Sequence, residues 1–314
     1  MYDVPVDASL ARLLQHCPRA WAMVQATIKS WSAAPPPRGS SREICDITDG
    51  SVFFNHPELG DEARRQRIKD GGDGKIRLGI ILYYDDLTTT NALGVASLTH
   101  SMGMFYYALV NLDPSVRMSL KYIQLAAICF SSDIKRYGAE AVVGGGASDP
   151  YDSPSIGASM RRLNDGVLMD LLFNGAYRMC TVCAWVIWFC ADYPARGKMT
   201  PFAESVSALC FDHKSNRHRD GKGAKLPTSY LEGHNPHLKH HWREKTVVDL
   251  ARQKGRAEEF ETATLRNDFL QSVGVKKPTP TTPLFGCALN NLPYFDISGK
   301  TGMVGEDLMH HEFE

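Results

Sequence analysis

The sequence carries no excess charge of either sign, because 35 lysines and arginines balance 35 aspartates and glutamates over 314 residues. Overall charge therefore provides no general attraction for nucleic acid, and any contact with DNA must depend on local basic patches. Apolar residues make up 43% of the chain and charged residues 22%, which is the composition of a globular protein with a packed core.

Long hydrophobic runs are also missing. The most apolar stretch, from Met179 to Cys190, is twelve residues long, which fits a buried strand and is too short to cross a membrane. The first 21 residues lack the basic and apolar regions of a secretory signal. We therefore expect a soluble intracellular protein with no membrane partner.

A disulfide framework is not expected either, because the eight cysteines are scattered and several lie inside apolar runs. Cys180 and Cys183 have the C-x2-C spacing of zinc or redox sites, but the apolar run around them favours a role as small core residues. The glycine-rich stretch 141–155 lacks the lysine and the serine or threonine that a P-loop needs after its glycines. We interpret this stretch as a flexible connection.

The N-terminal quarter of the chain has little periodic structure. Residues 1–72 contain one amphipathic segment, from Ala8 to Ser30, followed by a proline-rich string and a polar stretch. The segment from Ile44 to Phe54 is interpreted as a short strand or as a hairpin that turns at Asp49-Gly50. We expect 1–72 to be a loosely built, partly ordered extension.

The pattern changes at Lys75, where strand-like runs rich in β-branched and aromatic residues begin. Three strands in succession are expected, then a helix that Ser131 or Ser132 caps and Gly138 ends, and a second helix from Ile156 to Leu163. Two further strands are expected at Gly166–Phe173 and Tyr177–Cys190. This order predicts a mixed α/β core over residues 73–200.

Two regions follow this core. Residues 201–276 contain a basic, histidine-rich loop and a strongly helical stretch that Gly274 ends. Residues 277–314 begin as a proline-rich linker and finish inside an apparent new helix, so we expect a truncated C-terminal end.

Aspartates stand at the ends of two predicted strands. Asp85 or Asp86 closes the first strand, and Asp192 closes the later, most apolar one. Such carboxylates could hold the divalent ions of two-metal phosphoryl transfer, and their hard oxygen ligands suit magnesium or manganese. Aspartate at a strand end is also a common turn or cap residue, and composition alone favours that role.

Three short motifs, the first of them in two parts, occur in order around these aspartates. Residues 91–94 (NALG) and 111–114 (NLDP) follow the first strand, residues 190–195 (CADYPA) surround Asp192, and residues 306–314 (EDLMHHEFE) end the chain. These segments resemble the catalytic region of CACTA-type (En/Spm-like) and related transposases, over about residues 75–314. The resemblance implies a ribonuclease H-like fold, a mixed sheet flanked by helices, with an inserted zinc-knuckle-like and helical region at 201–276.

The resemblance also implies an acidic triad. Asp85 would be the first magnesium ligand and Asp192 the second, with Asp86 the less favoured member of its pair. For the third ligand, helical spacing places Glu314 on the same face as His310 and favours Glu314, whereas one variant of the family motif would choose Glu312.

A structural zinc site is implied between these motifs. Related transposases carry a cysteine pair, a Gly-His and a His-x-Trp/Tyr-Arg segment here, and the matching positions are Cys210, His213, His234 and His241. Tetrahedral zinc accepts imidazole in place of the second thiolate. Without the resemblance, these histidines would be interpreted as part of a solvated loop.

Basic residues accumulate in the same stretch and would contact DNA phosphates independently of sequence, or else form a charged solvent-facing loop. They are Lys214, Arg217, Arg219, Lys222, Lys225, Lys239, Arg243 and Lys245.

The resemblance thus implies a nuclear DNA transposase that cleaves and joins DNA strands at transposon ends and target, acting alone or as a homo-oligomer. A catalytically inactive, transposon-derived remnant that binds DNA or protein is the first alternative, and an unrelated metal-dependent hydrolase is the second.

Overall fold

The computed structural model describes residues 2–32, 46–88, 101–144, 155–192, 195, 199–200, 246–275, 289, 292–295 and 304–306. These residues form a mixed α/β arrangement around one seven-stranded sheet, which confirms the predicted mixed α/β core. Its strands are β1 (Tyr2–Asp3), β2 (Ile76–Thr88), β3 (Ser101–Leu109), β4 (Gln124–Phe130), β5 (Val167–Phe173), β6 (Ala176–Ala191) and β7 (Val304–Glu306).

The sheet has the strand order β1-β4-β3-β2-β6-β5, and β7 also pairs with β6. The three successive strands that were predicted are β2, β3 and β4, and they pair as antiparallel neighbours. Strand β6 lies on the other side of β2 and runs parallel to it, because helices connect β4 back to that side. Strand β5 is antiparallel to β6, and β7 is parallel to it.

Along the described chain, the helices lie between the first strand, β1, and the last, β7. Among the described residues, no helix is long and apolar enough to cross a membrane. The helices are α1 (Val6–His16), α2 (Pro18–Trp31), α3 (Ser51–Phe54), α4 (Asp61–Lys69), α5 (Pro114–Arg117), α6 (Ser131–Tyr137), α7 (Glu140–Val143), α8 (Ile156–Asp165), α9 (Val247–Glu258) and α10 (Ala263–Ser272).

Both faces of the sheet are covered by apolar side chains, which explains why β6 is an almost continuous apolar run. The larger cluster includes Leu78, Ile80, Leu82 and Tyr84 of β2, with residues of α1, α2, α8 and α10. The smaller cluster, on the other face, includes Phe53, Leu59, Ile81, Val110, Trp185 and Ile187.

Cys180 and Cys183 show the effect of these two faces. Cys183 is buried in the smaller cluster, whereas Cys180 packs against the larger one. Both are free thiols, and burial raises the pKa of each thiol. Because a three-residue step along a strand reverses the direction of the side chain, the pair faces opposite sides of the sheet and does not form a shared metal site.

The N-terminal helices are part of the main core, which differs from the expected loose extension. The single amphipathic segment that was expected is two helices, because Pro18 begins α2 after a break at Cys17. Helix α1 is tied to α8 by an Asp7–Arg162 ion pair with N–O distances of 2.9 and 3.1 Å. The Ser9 hydroxyl shares a 2.7 Å hydrogen bond with the Tyr107 hydroxyl on β3.

The strand or hairpin expected up to Phe54 is also wrong, because a 3-10 turn at Ile47–Asp49 and helix α3 occupy its described part. An Asp46 carboxylate cap begins this turn. The same carboxylate accepts two hydrogen bonds from Arg117, at 2.6 and 2.8 Å. The turn is thereby fixed against α5.

Other local expectations were partly correct. Helix α6 ends at Gly138, which has a φ of 81°, as expected. Neither serine caps its start, because the N-cap is Phe130 and makes no side-chain cap bond. The single helical stretch expected before Gly274 is two helices, α9 and α10.

Asn111 connects the end of β3 to the neighbouring strand. Its side chain is fully buried, accepts a 2.9 Å hydrogen bond from the Gly79 N–H and donates one of 3.3 Å to the Arg77 carbonyl. Its own carbonyl accepts a 2.8 Å bond from the Thr27 hydroxyl of α2. After it, Asp113 caps α5 and Pro114 occupies the first turn. Residues 111–114 therefore have a structural role.

Replacing Asn111 with alanine is expected to lower the free energy of unfolding by about 2 kcal/mol, since the buried Gly79 N–H loses its acceptor. Urea denaturation measures this change. The control is Gln66→Ala, which removes an exposed side-chain bond to Asp70 and should cost less than about 0.5 kcal/mol. Equal effects of the two changes would contradict a structural role for Asn111.

The β5–β6 hairpin turns at Asn174-Gly175, where both residues have positive φ angles of 48° and 83°. These angles fit a two-residue type I′ turn, which asparagine and glycine favour. The outer edge of β5 meets side chains of α1 and α2. Gln15 donates to the Asp170 carbonyl at 3.2 Å, and Trp21 donates to the Leu172 carbonyl at 2.5 Å.

Candidate functional site

The aspartates predicted at the two strand ends lie at the same level of the sheet. The parallel ladder between β2 and β6 ends with the pair Tyr83 and Cys190. Two residues further along each chain lie Asp85, which is still within β2, and Asp192, which directly follows β6. Neighbouring parallel strands are about 4.8 Å apart, so the same register continued by two residues would bring Asp85 and Asp192 side by side.

A register shift in β6 creates this alignment. Ile80 pairs with Val186, but Ile81 pairs with Trp188, so Ile187 is an extra residue in β6. Without this shift, Ile81 would pair with Ile187, and Asp192 would lie level with Asp86. The shift thus determines which of the two adjacent aspartates is aligned with Asp192.

The two carboxylates have different surroundings. Asp85 is exposed and Asp192 is half-buried. Asp192 Oδ1 accepts a 2.7 Å hydrogen bond from the Ala195 N–H, which fixes the carboxylate at the turn that follows β6. Asp192 therefore acts as a turn residue, which is the role that composition alone favours for an aspartate at a strand end. Its other oxygen, Oδ2, can still bind a ligand.

Asp86 belongs to a separate polar network. Its Oδ1 accepts hydrogen bonds from the Tyr84 hydroxyl at 2.8 Å and from the Ser131 hydroxyl at 2.5 Å. The Ser131 hydroxyl also lies 3.0 Å from that of Ser101. Burial, followed by the charge of Asp86, raises the pKa of the Tyr84 hydroxyl. Because successive strand residues face opposite sides, this network holds Asp86 on the face away from Asp85.

The third acidic ligand falls outside the described residues, since both Glu312 and Glu314 do. The backbone of Glu306, in β7, lies opposite Ala191 of β6, so the chain returns to this end of the sheet shortly before those glutamates. Within the described ranges, no group of three or more histidine, cysteine, aspartate or glutamate side chains is arranged to hold a metal ion.

The predicted zinc ligands also lie outside the described residues. They are Cys210, His213, His234 and His241, and the same holds for the basic residues between 214 and 245 and for the motif 91–94.

No protein-family model matches this chain, and no curated protein matches it either. The resemblance to transposases therefore depends on the motifs alone. The geometry adds that Asp85 and Asp192 follow the shared end of two parallel neighbouring strands, where carboxylates that converge could bind a divalent cation through oxygen.

Two sets of residues around the sheet were missed by the sequence analysis. One is the network of Tyr84, Ser131 and Ser101 that orients Asp86. The other is a basic cluster at the opposite end of β2. The glycine-rich segment 71–75, which Arg77 follows two residues later, is the sequence feature that could have indicated it.

Proposed function

We propose that this chain is a transposase-like protein that cleaves and joins DNA strands by metal-dependent phosphoryl transfer, with Asp85 and Asp192 as its first two acidic ligands. The single observation that carries the proposal is the parallel register between β2 and β6. That register brings two aspartates more than one hundred positions apart in sequence to adjacent places at one end of the sheet.

The topology supports a ribonuclease H-like core. Three successive antiparallel strands, β2, β3 and β4, are followed through helices α6 to α8 by β6, which is parallel to the first of them. We expect this order in a ribonuclease H-like sheet, where the end shared by the two parallel strands carries the acidic residues. The hairpin strand β5 is an addition to that order.

The donors at this end are suited to magnesium or manganese, because both are carboxylates and neither magnesium nor manganese requires nitrogen or sulfur ligands. Asp85 offers an exposed carboxylate, and Asp192 offers Oδ2 while the Ala195 N–H holds Oδ1. When bound, the cations would stabilise charge on the attacking and leaving oxygens. The chain's contribution is to hold the two carboxylates in place, and Glu314 or Glu312 would complete the set.

Isothermal titration calorimetry of the purified chain, with magnesium chloride and separately with manganese chloride, tests this proposal. Asp85→Asn and Asp192→Asn should each weaken the same binding event at least tenfold, because each removes one anionic ligand. Both variants should fold, since Asp85 is exposed and asparagine can still accept the Ala195 N–H. The matched control is Asp170→Asn, an exposed aspartate on β5, which should bind metal as the unmodified chain does.

Cleavage of a labelled DNA duplex in the presence of manganese provides the second measurement. Metal binding that depends on both aspartates, together with strand cleavage that both variants lose, supports the proposal. Metal binding unaffected by either variant would contradict it. Duplex binding without any metal-dependent event would instead support the catalytically inactive remnant.

A further inference from the structure

A pocket lies beside the start of β2, at the opposite end of the strand from Asp85. Helices α2 and α4 and the loop at 70–75 surround it, and its volume is about 560 Å³, within the range of small-molecule sites. Lys75 and Asp85 are ten residues apart along an extended chain, so the pocket is about 30 Å from the paired carboxylates.

Four cations line this pocket: Arg64, Arg67, Lys75 and Arg77. Arg77 is neutralised by Asp73, to which it donates two hydrogen bonds of 2.8 and 2.6 Å. This pairing holds the pKa of Asp73 well below its usual range. Among the described residues that line the pocket, the single carboxylate, that of Asp73, is therefore already paired with Arg77.

Arg67 and Lys75 are not neutralised in this way. In the parts of the chain that the structure describes, neither has a carboxylate within salt-bridge distance. Arg67 donates one hydrogen bond, of 2.7 Å, to the Glu58 carbonyl. Its pKa is lowered, first by burial and then by the charge of Arg77, and the more distant charges of Glu58 and Asp73 offset this lowering only in part. An anion in the pocket would counter the repulsion from Arg77.

The loop leaves room for such an anion. Gly71, Gly72 and Gly74 have φ angles of 81°, 79° and 69°, and a Cβ atom built on any of them would meet no atom of the described residues within 4 Å. The backbone next to Lys75 is therefore open to a ligand. A guanidinium and an ammonium at such a backbone are the groups that recognise phosphate.

The pocket also has an apolar wall, formed by Ile28, Trp31, Ile76 and Phe173. Ile76 and Phe173 pack with the larger cluster. A phosphate alone would leave the wall unused, whereas a planar base attached to the phosphate would cover it.

We infer that this pocket binds a nucleotide, either free or as part of a nucleic-acid strand, with its phosphate at Arg67 and Lys75 and its base against the apolar wall. The inference does not depend on the proposed metal-dependent function, because the pocket requires no cation and lies at the other end of the sheet.

Binding is tested in EDTA at low salt, so that failure of the metal site has no influence on the result. Calorimetry with adenosine monophosphate is compared with calorimetry with inorganic phosphate, and fluorescence anisotropy follows a labelled twelve-nucleotide single strand. Lys75→Met should weaken nucleotide binding at least tenfold, and its exposed side chain makes no bond that the fold needs. Arg67→Met should have a similar effect.

The control is Lys69→Met, which removes an exposed cation from the same helix, α4, outside the pocket. It should leave nucleotide binding unchanged. Tight binding of the monophosphate identifies a free nucleotide as the ligand, and stronger binding of the strand, displaced by the monophosphate, identifies nucleic acid. Either result supports the inference. Equal losses in all three variants, no binding of either probe, or equal affinity for inorganic phosphate and the monophosphate would each overturn it.

Discussion

Replacing Arg117 with methionine is expected to lower the free energy of unfolding by about 3–4 kcal/mol, the typical cost of breaking a buried ion pair by removing one partner. The Arg117 side chain is 6% exposed and holds both oxygens of Asp46. It also donates to the carbonyls of Val110 and Leu112, at 2.8 and 3.1 Å. Methionine would leave these acceptors without a donor.

Urea denaturation of a double-mutant cycle measures this effect. Asp46→Asn should cost less than Arg117→Met, because asparagine can still accept from Arg117 and cap the 3-10 turn. The double variant should lose less free energy of unfolding than the two single variants lose together, because it leaves neither charge buried without its partner. The control is Arg65→Met in the exposed Arg65–Glu62 pair, which should cost less than about 1 kcal/mol. Strict additivity in the cycle would contradict the coupling.

Acidification is expected to destabilise the chain through His56, whose side chain is 2% exposed. The backbone N–H groups of Glu58 and Leu59 donate to its Nδ1 at 3.1 and 3.2 Å, so the proton of the neutral ring is on Nε2. Within the described residues, that buried Nε2 has no hydrogen-bond partner. A second proton would displace the two N–H donors and place a charge in the core.

Burial lowers the pKa of His56 from 6.5 to about 4. Because the folded state binds this proton more weakly than the unfolded state, the contribution is fully present above pH 6.5 and is lost as the pH falls towards 4. Linkage over that interval gives a loss of about 2.5 kcal/mol between pH 7.5 and pH 4.5. Urea denaturation at several pH values measures this loss.

Other groups also titrate in this range, so a variant isolates the contribution of His56. His56→Asn keeps a neutral acceptor for the two backbone N–H groups and cannot be protonated. The variant will be less stable at every pH, since it loses the ring contacts with Trp185 and Tyr294. Its stability should nevertheless change less with pH than that of the unmodified chain, by about 2.5 kcal/mol. Parallel pH profiles for the two chains would contradict this account.

The central strands were predictable because their residues are apolar, β-branched or aromatic over strand length. Strand β6 was the clearest case, as a buried strand covered on both faces. The sequence predicted that the N-terminal helices belong to a loose extension, because an apolar stripe does not show what it packs against. Tertiary contacts with α8 and β3 determine that they pack against the core.

For the candidate site, the sequence predicted only that aspartates lie at the ends of two strands. The sequence shows aspartates after two apolar runs, but the choice between Asp85 and Asp86 depends on the extra residue Ile187 in β6. A bulge in a buried strand leaves no periodic signal, because every residue around it is apolar. The sequence did not predict the pocket beside the start of β2 for another reason. Its cations come from segments that are close only in the folded chain.

Side chains of α1 and α2 donate hydrogen bonds to the outer carbonyls of β5, and this limits the pairing of further strands with the sheet. A strand from another molecule can extend a sheet only where the border strand still has accessible main-chain groups. Here Gln15 and Trp21 occupy the carbonyls at two alternate positions, Asp170 and Leu172. The protein therefore terminates its own β-structure with amide and indole groups, which guards this border against fibre-like stacking of copies.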